Sequence, residues 1–206
     1  MPGANIITLT GRSPCPGLNA LANHGWLPRS GQEIDLAAVQ YATVGAYNYK
    51  NDVFNDAFKA VQTLQLSTTG NISTFNLEDL KKHDTIEFDG SLSRNDFFFG
   101  DDLHFNPAIW ATVAEKLELY DLSKGKYVTI ENAAKARAAR VEDAMRVNPT
   151  FNASAAQQMG SPGTTALYLV TNWNDEAKAA PKSWVRAFFG KFLLHITVAQ
   201  SLDSSC

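Results

Sequence analysis

The sequence lacks an apolar run that approaches the ~20 residues of a membrane-spanning helix, so we expect no membrane span. It also lacks an excess of basic residues: the net charge is −3 and the pI is near 5.8, which argues against a nucleic-acid partner. No charged segment followed by an apolar core opens the chain, so we expect no signal peptide in it. We therefore expect either an intracellular protein or a mature secreted form with an added Met.

Cysteine is scarce in these 206 residues, with only Cys15 and Cys206. A hydrophobic content of 45% and a charged content of 19% are typical of a globular protein, and we expect one domain over residues 1–200. Residues 201–206 form a polar tail that we expect to be mobile. Asn71 and Asn152 lie in glycosylation sequons, which carry glycans only if the chain is secreted.

The pattern of apolar residues is mostly helical, which predicts an all-α fold: a single compact domain with few or no strands. A capping box of Ser30 and Glu33 predicts a helix that runs to about Tyr49. Asn106 and Thr129 are expected to cap two later helices. Further helices are predicted over residues 53–66 and 77–83 and from about 181 onward. We interpret residues 86–103 as irregular, Gly160–Gly163 as part of a polar loop, and Lys135, Arg137 and Arg140 as a solvated face.

Cys15 lies between Pro14 and Pro16, and a helical pattern follows it directly and stops at Gly25. Because proline donates no backbone hydrogen bond and restricts its neighbour, this tripeptide predicts an extended turn that presents a sulfur at a helix start. Free N–H groups and the helix dipole favour a thiolate there. Such a thiolate suits a nucleophile or a metal ligand, and the alternative is a buried structural thiol.

The whole segment from Ser13 to Arg29, SPCPGLNALANHGWLPR, resembles the proximal haem segment of the fungal haem-thiolate peroxidases, which include chloroperoxidase and the short unspecific peroxygenases. The resemblance implies a domain that encloses haem b, with Cys15 as the axial iron ligand. It also implies that neighbouring residues contact the cofactor. These are Pro14, Pro16, Leu18 and Asn19. A disulfide between the two cysteines would remove Cys15 from the iron, so we expect Cys206 either to link two copies of the chain, as in some short members, or to remain an inert thiol.

Residues 87–94 form a second group of chemically active residue types. A carboxylate at Glu87, a hydroxyl at Ser91 and irregular backbone suit a hard divalent cation, and the alternative is a polar turn around Asp89. The segment resembles Glu-His-Asp-x-Ser-x-Ser-Arg of the same family. That likeness implies Mg2+ beside a haem propionate, bound by Glu87, the Phe88 carbonyl and Ser91. Phe88 departs from the family pattern, which has a histidine that supports proton transfer.

The position of the family's distal glutamate can also be located in this chain by alignment. Residues 162–169, PGTTALYL, resemble Tyr-Gly-Glu-x-Ala-Leu-Tyr-Leu, and this alignment places Thr164 at the glutamate position. No acidic residue occurs between Asp143 and Asp175, so a shift of the alignment restores no carboxylate. Loss of a general acid–base group typically slows a reaction by ~10²–10⁴-fold. Thr164 and Phe88 therefore predict a weakened distal site, and we expect the four histidines to be structural.

Aromatic residues are candidates for lining a substrate channel, and core packing is the alternative for each. They are Phe54, Phe58, Phe97, Phe98 and Phe99.

The sequence leaves three functions in competition. The first is a haem-thiolate oxidoreductase that uses hydrogen peroxide to oxygenate or oxidise small apolar or aromatic substrates, with altered peroxide activation. The second is a haem-thiolate isomerase, lyase or dehydratase that uses no peroxide. The third lies outside the family: a cysteine hydrolase with Cys15 as nucleophile and a distant histidine as base.

Overall fold

The computed structural model describes residues 11–152 and 154–189. The chain divides into two units, Met1–Lys82 and His83–Cys206. Helices dominate both units, so the predicted mostly helical fold is confirmed. Within the described ranges, no helix is both long enough and apolar enough to cross a bilayer. Cys206, the polar tail and His195 lie outside the described residues.

The described part of unit 1, residues 11–82, contains three α-helices, two short strands and a 3₁₀ turn. In chain order these are α1 (Pro16–Asn23), β1 (Ile34–Asp35), α2 (Leu36–Tyr47), α3 (Asn55–Thr63), β2 (Thr74–Phe75) and the 3₁₀ turn Leu77–Lys81. The strands pair antiparallel, with Ile34 opposite Phe75. The side chains of these two residues are buried, as are Leu21, Phe58 and Leu77, which form the apolar interior of this unit.

The predicted capping box of Ser30 and Glu33 is wrong. Glu33 has a φ of 53°, in the left-handed region, and its backbone N–H donates to Asn76 Oδ1 at 3.0 Å. The chain then pairs as β1 before Asp35 caps α2, where Asp35 Oδ1 accepts from Ala38 N at 2.7 Å. Pairing with β2, about forty residues away along the chain, therefore overrides the local capping signal.

Helices also make up most of the regular structure in the described residues of unit 2. Its elements are the 3₁₀ turn Phe97–Phe99, α4 (Pro107–Lys116), the 3₁₀ turn Leu122–Lys124, β3 (Tyr127–Val128), α5 (Ile130–Val147), α6 (Ala155–Thr171), β4 (Ala180–Pro181) and α7 (residues 182–189). The expected caps of α4 and α5 are confirmed: Asn106 accepts from Ala108 N and Ile109 N, and Thr129 accepts from Asn132 N. The core includes Trp110, Val113, Leu117, Val128, Ala133, Tyr168, Leu169 and Val185.

The polar loop predicted around residues 160–163 is also wrong, because α6 continues through Pro162. A proline inside a helix removes one hydrogen bond and costs ~3 kcal/mol or more. Two features oppose that cost. Ser154 caps the helix by accepting from Gln157 N at 3.1 Å, and α6 packs along α5, where Arg137 donates to Thr164 and Thr165.

Candidate active site

Cys15 occupies the N-cap position of α1, with extended backbone (φ −82°, ψ 112°), and it is a half-buried free thiol. Pro16 takes the first helical position, no side chain caps the helix, and the first turn carries no acidic residue. The first backbone N–H groups of a helix have no partner within the helix and carry partial positive charge. Cys15 therefore lies beside backbone N–H groups that have no partner within α1.

Ser13 and Asn19 hold the loop that presents Cys15. Asn19 Oδ1 accepts from Ser13 N at 2.8 Å, and Asn19 Nδ2 donates to Ser13 O at 2.7 Å. Cys15 N donates to Ser13 Oγ at 3.1 Å. The amide of Asn19 is thus engaged with the loop backbone. Ser13, which is fully buried, is a positioning residue that the sequence alone did not indicate.

Arg12 joins the two ends of the segment around Cys15. Its Nε and Nη2 donate to Asn23 Oδ1 at 3.0 and 2.8 Å, and its Nη1 donates to Arg29 O at 3.0 Å. Burial lowers the pKa of Arg12. Tyr47 of α2 donates from its hydroxyl to Gly17 O at 2.8 Å, and burial raises the pKa of that phenol, with the Cys15 thiol adding to the effect. Contacts from several sides therefore hold the start of α1.

In unit 2, the buried carboxylates Glu87 and Asp102 form a cluster with the half-buried His83. His83 Nδ1 lies 2.7 Å from Glu87 Oε2, and the His83 ring stacks on Phe97 with centroids 4.5 Å apart. One potential ligand atom from each of His83, Glu87 and Asp102 lies within 4.8 Å of the others. Burial raises the pKa of Glu87 to about 7, against the opposing hydrogen bond from His83, and burial also raises the pKa of Asp102.

Asp89 is a buried anchor and not the tip of a solvated turn. Its Oδ1 accepts from Phe97 N at 3.0 Å and its Oδ2 from Asn148 Nδ2 at 2.9 Å. Asp96, 1% exposed, accepts from Gly90 N at 3.0 Å and forms a buried ion pair with Arg140. This network attaches the irregular stretch that follows Glu87 to α5 and to the loop after it.

The interpretation of Arg137 and Arg140 as a solvated face is wrong, because they are 9% and 6% exposed. They lie on the same face of α5 as Ala133, Ala136 and Ala144, at helical spacing, and that face packs inward. The spacing of those alanines is the signal that could have identified the buried arginines. Lys135 is 71% exposed and pairs with Glu131, so its predicted exposure is correct.

Arg137 links α5, α6 and the Glu87 segment through its guanidinium. Its Nε donates to Thr165 Oγ1 at 2.9 Å, its Nη1 to Gly90 O at 2.7 Å, and its Nη2 to Thr164 Oγ1 at 3.1 Å. Burial lowers the pKa of Arg137 to about 10, so its charge persists at neutral pH. Thr164 in turn donates from its hydroxyl to Ser161 O at 3.1 Å. A cation therefore lies beside the position at which the family alignment expects a carboxylate.

Phe88 packs directly against α6. A Cβ added at Gly160 would lie 2.4 Å from Phe88 Cε1, so only glycine leaves room for the ring in this arrangement. Gly160 precedes Thr164 by one helical turn. The structure thus brings Phe88 and Thr164, which the alignment predicts at the distal positions, to neighbouring turns of α6. Gly160 is a second residue of this site that the sequence alone did not indicate.

The remaining predicted site residues differ in exposure. Phe58 is buried and packs edge-on against Phe75, whereas Phe54 is half-buried and contacts Tyr49. In unit 2, three adjacent phenylalanines are each about half exposed, and their assignment to a substrate channel stays a prediction. These three are Phe97, Phe98 and Phe99. Ser91 is half-buried, and its backbone oxygen accepts from Arg140 Nε at 3.0 Å.

Comparison with known proteins identifies a family and several relatives of this chain. The model of the family described as "Peroxidase, family 2" matches residues 2–198. An aromatic peroxygenase of Coprinellus radians is 32% identical over 155 residues, which cover 68% of this chain and 58% of that protein. An aromatic peroxygenase of Cyclocybe aegerita is 30% identical over 155 residues, which cover 68% of this chain and 41% of that protein.

A chloroperoxidase of Leptoxyphium fumago is 37% identical over 90 residues, 42% of this chain and 24% of that protein. The chain thus spans about half the length of the two aromatic peroxygenases that it matches. Because the family model matches nearly the full sequence, the chain belongs to peroxidase family 2.

Proposed function

We propose that this protein is a haem-thiolate peroxidase or peroxygenase that uses hydrogen peroxide to oxidise or oxygenate a small apolar or aromatic molecule. The observation that carries the proposal is Cys15: a free, half-buried thiol at the start of α1, in a chain that belongs to peroxidase family 2. Relatives named aromatic peroxygenase and chloroperoxidase support this chemistry.

The surroundings of Cys15 fit a haem. Pro14, Pro16 and Leu18 are half-buried and offer apolar surface around the sulfur, while the polar Asn19 engages Ser13. A Cys-ligated haem supplies electron density that favours cleavage of the peroxide O–O bond. The chain's own contribution on this side is to fix the direction of the sulfur, through the two prolines and the hydrogen bonds of Ser13.

The residues predicted at the distal positions of unit 2 are poorly suited to proton transfer. Phe88 has no exchangeable proton, and its ring packs against the turn of α6 at Gly160. The Thr164 hydroxyl accepts from Arg137 and donates to Ser161 O, so it can orient a ligand but is a poor base. The Arg137 charge would stabilise negative charge that develops near Thr164. We therefore propose that peroxide activation is slow, and that it is faster with substrates or peroxides that carry their own acid group.

A second candidate function is a haem-thiolate isomerase, lyase or dehydratase that requires no peroxide. The same two substitutions, Phe88 and Thr164, favour it, because neither side chain can move a proton between peroxide oxygens. Turnover of a substrate without peroxide would support this candidate, and a strict requirement for peroxide would exclude it.

An absorption spectrum of the purified protein tests the proposal most directly. We expect a Soret band that shifts strongly to the red in the reduced CO complex, as thiolate ligation requires, and that is lost in Cys15→Ser. Cys206→Ser, the matched control at the other cysteine, should keep the band. Absence of haem, or a Cys15→Ser variant with an unchanged spectrum, would refute the proposal and would favour a cysteine hydrolase or another haem ligand.

A further inference from the structure

We infer that His83, Glu87 and Asp102 form a binding site for a divalent transition-metal ion such as Mn2+. The three potential ligand atoms lie within 4.8 Å of one another, a spacing at which one ion can contact all three. One imidazole nitrogen and two carboxylates suit a first-row transition ion better than Mg2+, which takes oxygen ligands only.

Two buried oxygen atoms point to a missing ligand. Glu87 is 4% exposed and Asp102 is 9% exposed, yet Glu87 Oε1 and Asp102 Oδ2 have no hydrogen-bond partner outside this pair of carboxyl groups. Buried carboxylate oxygens without partners are costly, and native proteins normally satisfy them. A dication between the two carboxylates would balance their charge and satisfy both oxygens.

The backbone already holds the three donors close together. Asp84 N donates to Glu87 O at 2.9 Å, which folds residues 83–87 into a tight turn and brings His83 beside Glu87. Stacking on Phe97 fixes the His83 ring. The buried network of Asp89 and Asp96 then anchors the chain between Glu87 and Asp102. An ion would thus meet a largely prepared site, without ordering a flexible loop.

This ligand set differs from the one that the family resemblance implies. Both include Glu87, but the implied set completes it with the Phe88 carbonyl and Ser91, and it depends on a haem propionate nearby. The inferred set uses side chains of unit 2 alone and requires no haem. The two sets therefore predict different effects of substitutions at Ser91 and Asp102.

Mn2+ titration of the full-length protein, followed by the EPR signal of free Mn2+, tests the inference. We expect one bound ion per chain, and Mg2+ in excess should not displace it. Asp102→Asn and His83→Ala should each weaken binding at least about tenfold. Asp101→Asn is the matched control: Asp101 is the adjacent carboxylate, but it is exposed and pairs with His104, so this variant should bind as the wild type does.

Ser91→Ala separates the two ligand sets. If the inferred set is correct, the affinity for Mn2+ should stay within about twofold of wild type, which is a smaller change than the loss of an outer-shell partner causes. Far-UV circular dichroism should be unchanged in Asp102→Asn, which is nearly isosteric. Loss of binding in Ser91→Ala with retention in Asp102→Asn would overturn the inference, as would absence of Mn2+ binding. The Soret band gives an independent reading: Mn2+ binding without haem would refute the proposed function and leave this site standing.

Discussion

Replacement of Arg137 by alanine should lower the free energy of unfolding by about 3 kcal/mol, the upper end of the value for a single hydrogen bond from a charged donor. The guanidinium is 9% exposed and makes three hydrogen bonds, to Gly90 O, Thr164 Oγ1 and Thr165 Oγ1. No carboxylate pairs with it among the residues that the structure describes. Arg137 therefore stabilises unit 2 through neutral acceptors on two other segments.

The magnitude is a balance of two opposing contributions. Each hydrogen bond from a charged donor contributes about 1.5–3 kcal/mol, and loss of the donor leaves the Gly90 carbonyl without this partner. Against this, the variant no longer buries an unpaired charge, which is itself costly. Arg137→Met should be less destabilising than Arg137→Ala, because it restores the packing of the stem and buries no charge.

Urea unfolding followed by far-UV circular dichroism measures these differences, with an unchanged m-value as the check that the unfolded states are comparable. Lys135→Ala is the matched control on the same helix. Lys135 is 71% exposed, and its substitution should leave the unfolding midpoint unchanged. A loss below about 1 kcal/mol in Arg137→Ala, smaller than one such hydrogen bond, or an equal loss in Lys135→Ala, would refute the reasoning.

Substitutions at three other positions test further contacts. Gly160→Ala should lower the free energy of unfolding by about 1–3 kcal/mol, because its Cβ would lie 2.4 Å from Phe88 Cε1. In a double-mutant cycle measured by urea unfolding, Phe88→Ala should recover part of that loss, and additive losses would contradict the contact. Thr164→Glu should place a carboxylate beside Arg137 and raise the initial rate of peroxide consumption about tenfold or more. An unchanged rate would mean that Thr164 is not at the distal position. Asn106→Ala should lower stability by about 1 kcal/mol in the same urea assay, since Asn106 accepts from two N–H groups of α4; no loss would mean that solvent replaces the cap.

Local signals in the sequence were sufficient for several parts of the fold. Asn106 with Pro107 predicted the start of α4, and Thr129 predicted the start of α5, because a cap acts on backbone groups within three residues. The tripeptide around Cys15 likewise predicted a sulfur at the start of α1. Membership of the family was also recognisable from that segment, since its residue types and spacing are specific.

Other features depend on partners far away in the chain, and only the tertiary structure could decide them. Arg137 is buried because its acceptors come from Gly90 and Thr165, which are 47 and 28 residues away. The same reason explains why α6 continues through Pro162 and why Asp102 joins His83 and Glu87. Sequence thus determined the turn that presents Cys15 and the residue types at the positions predicted to be distal. Tertiary packing decided which charges are buried beside them, because the burial of a side chain is set by the segments that fold against it.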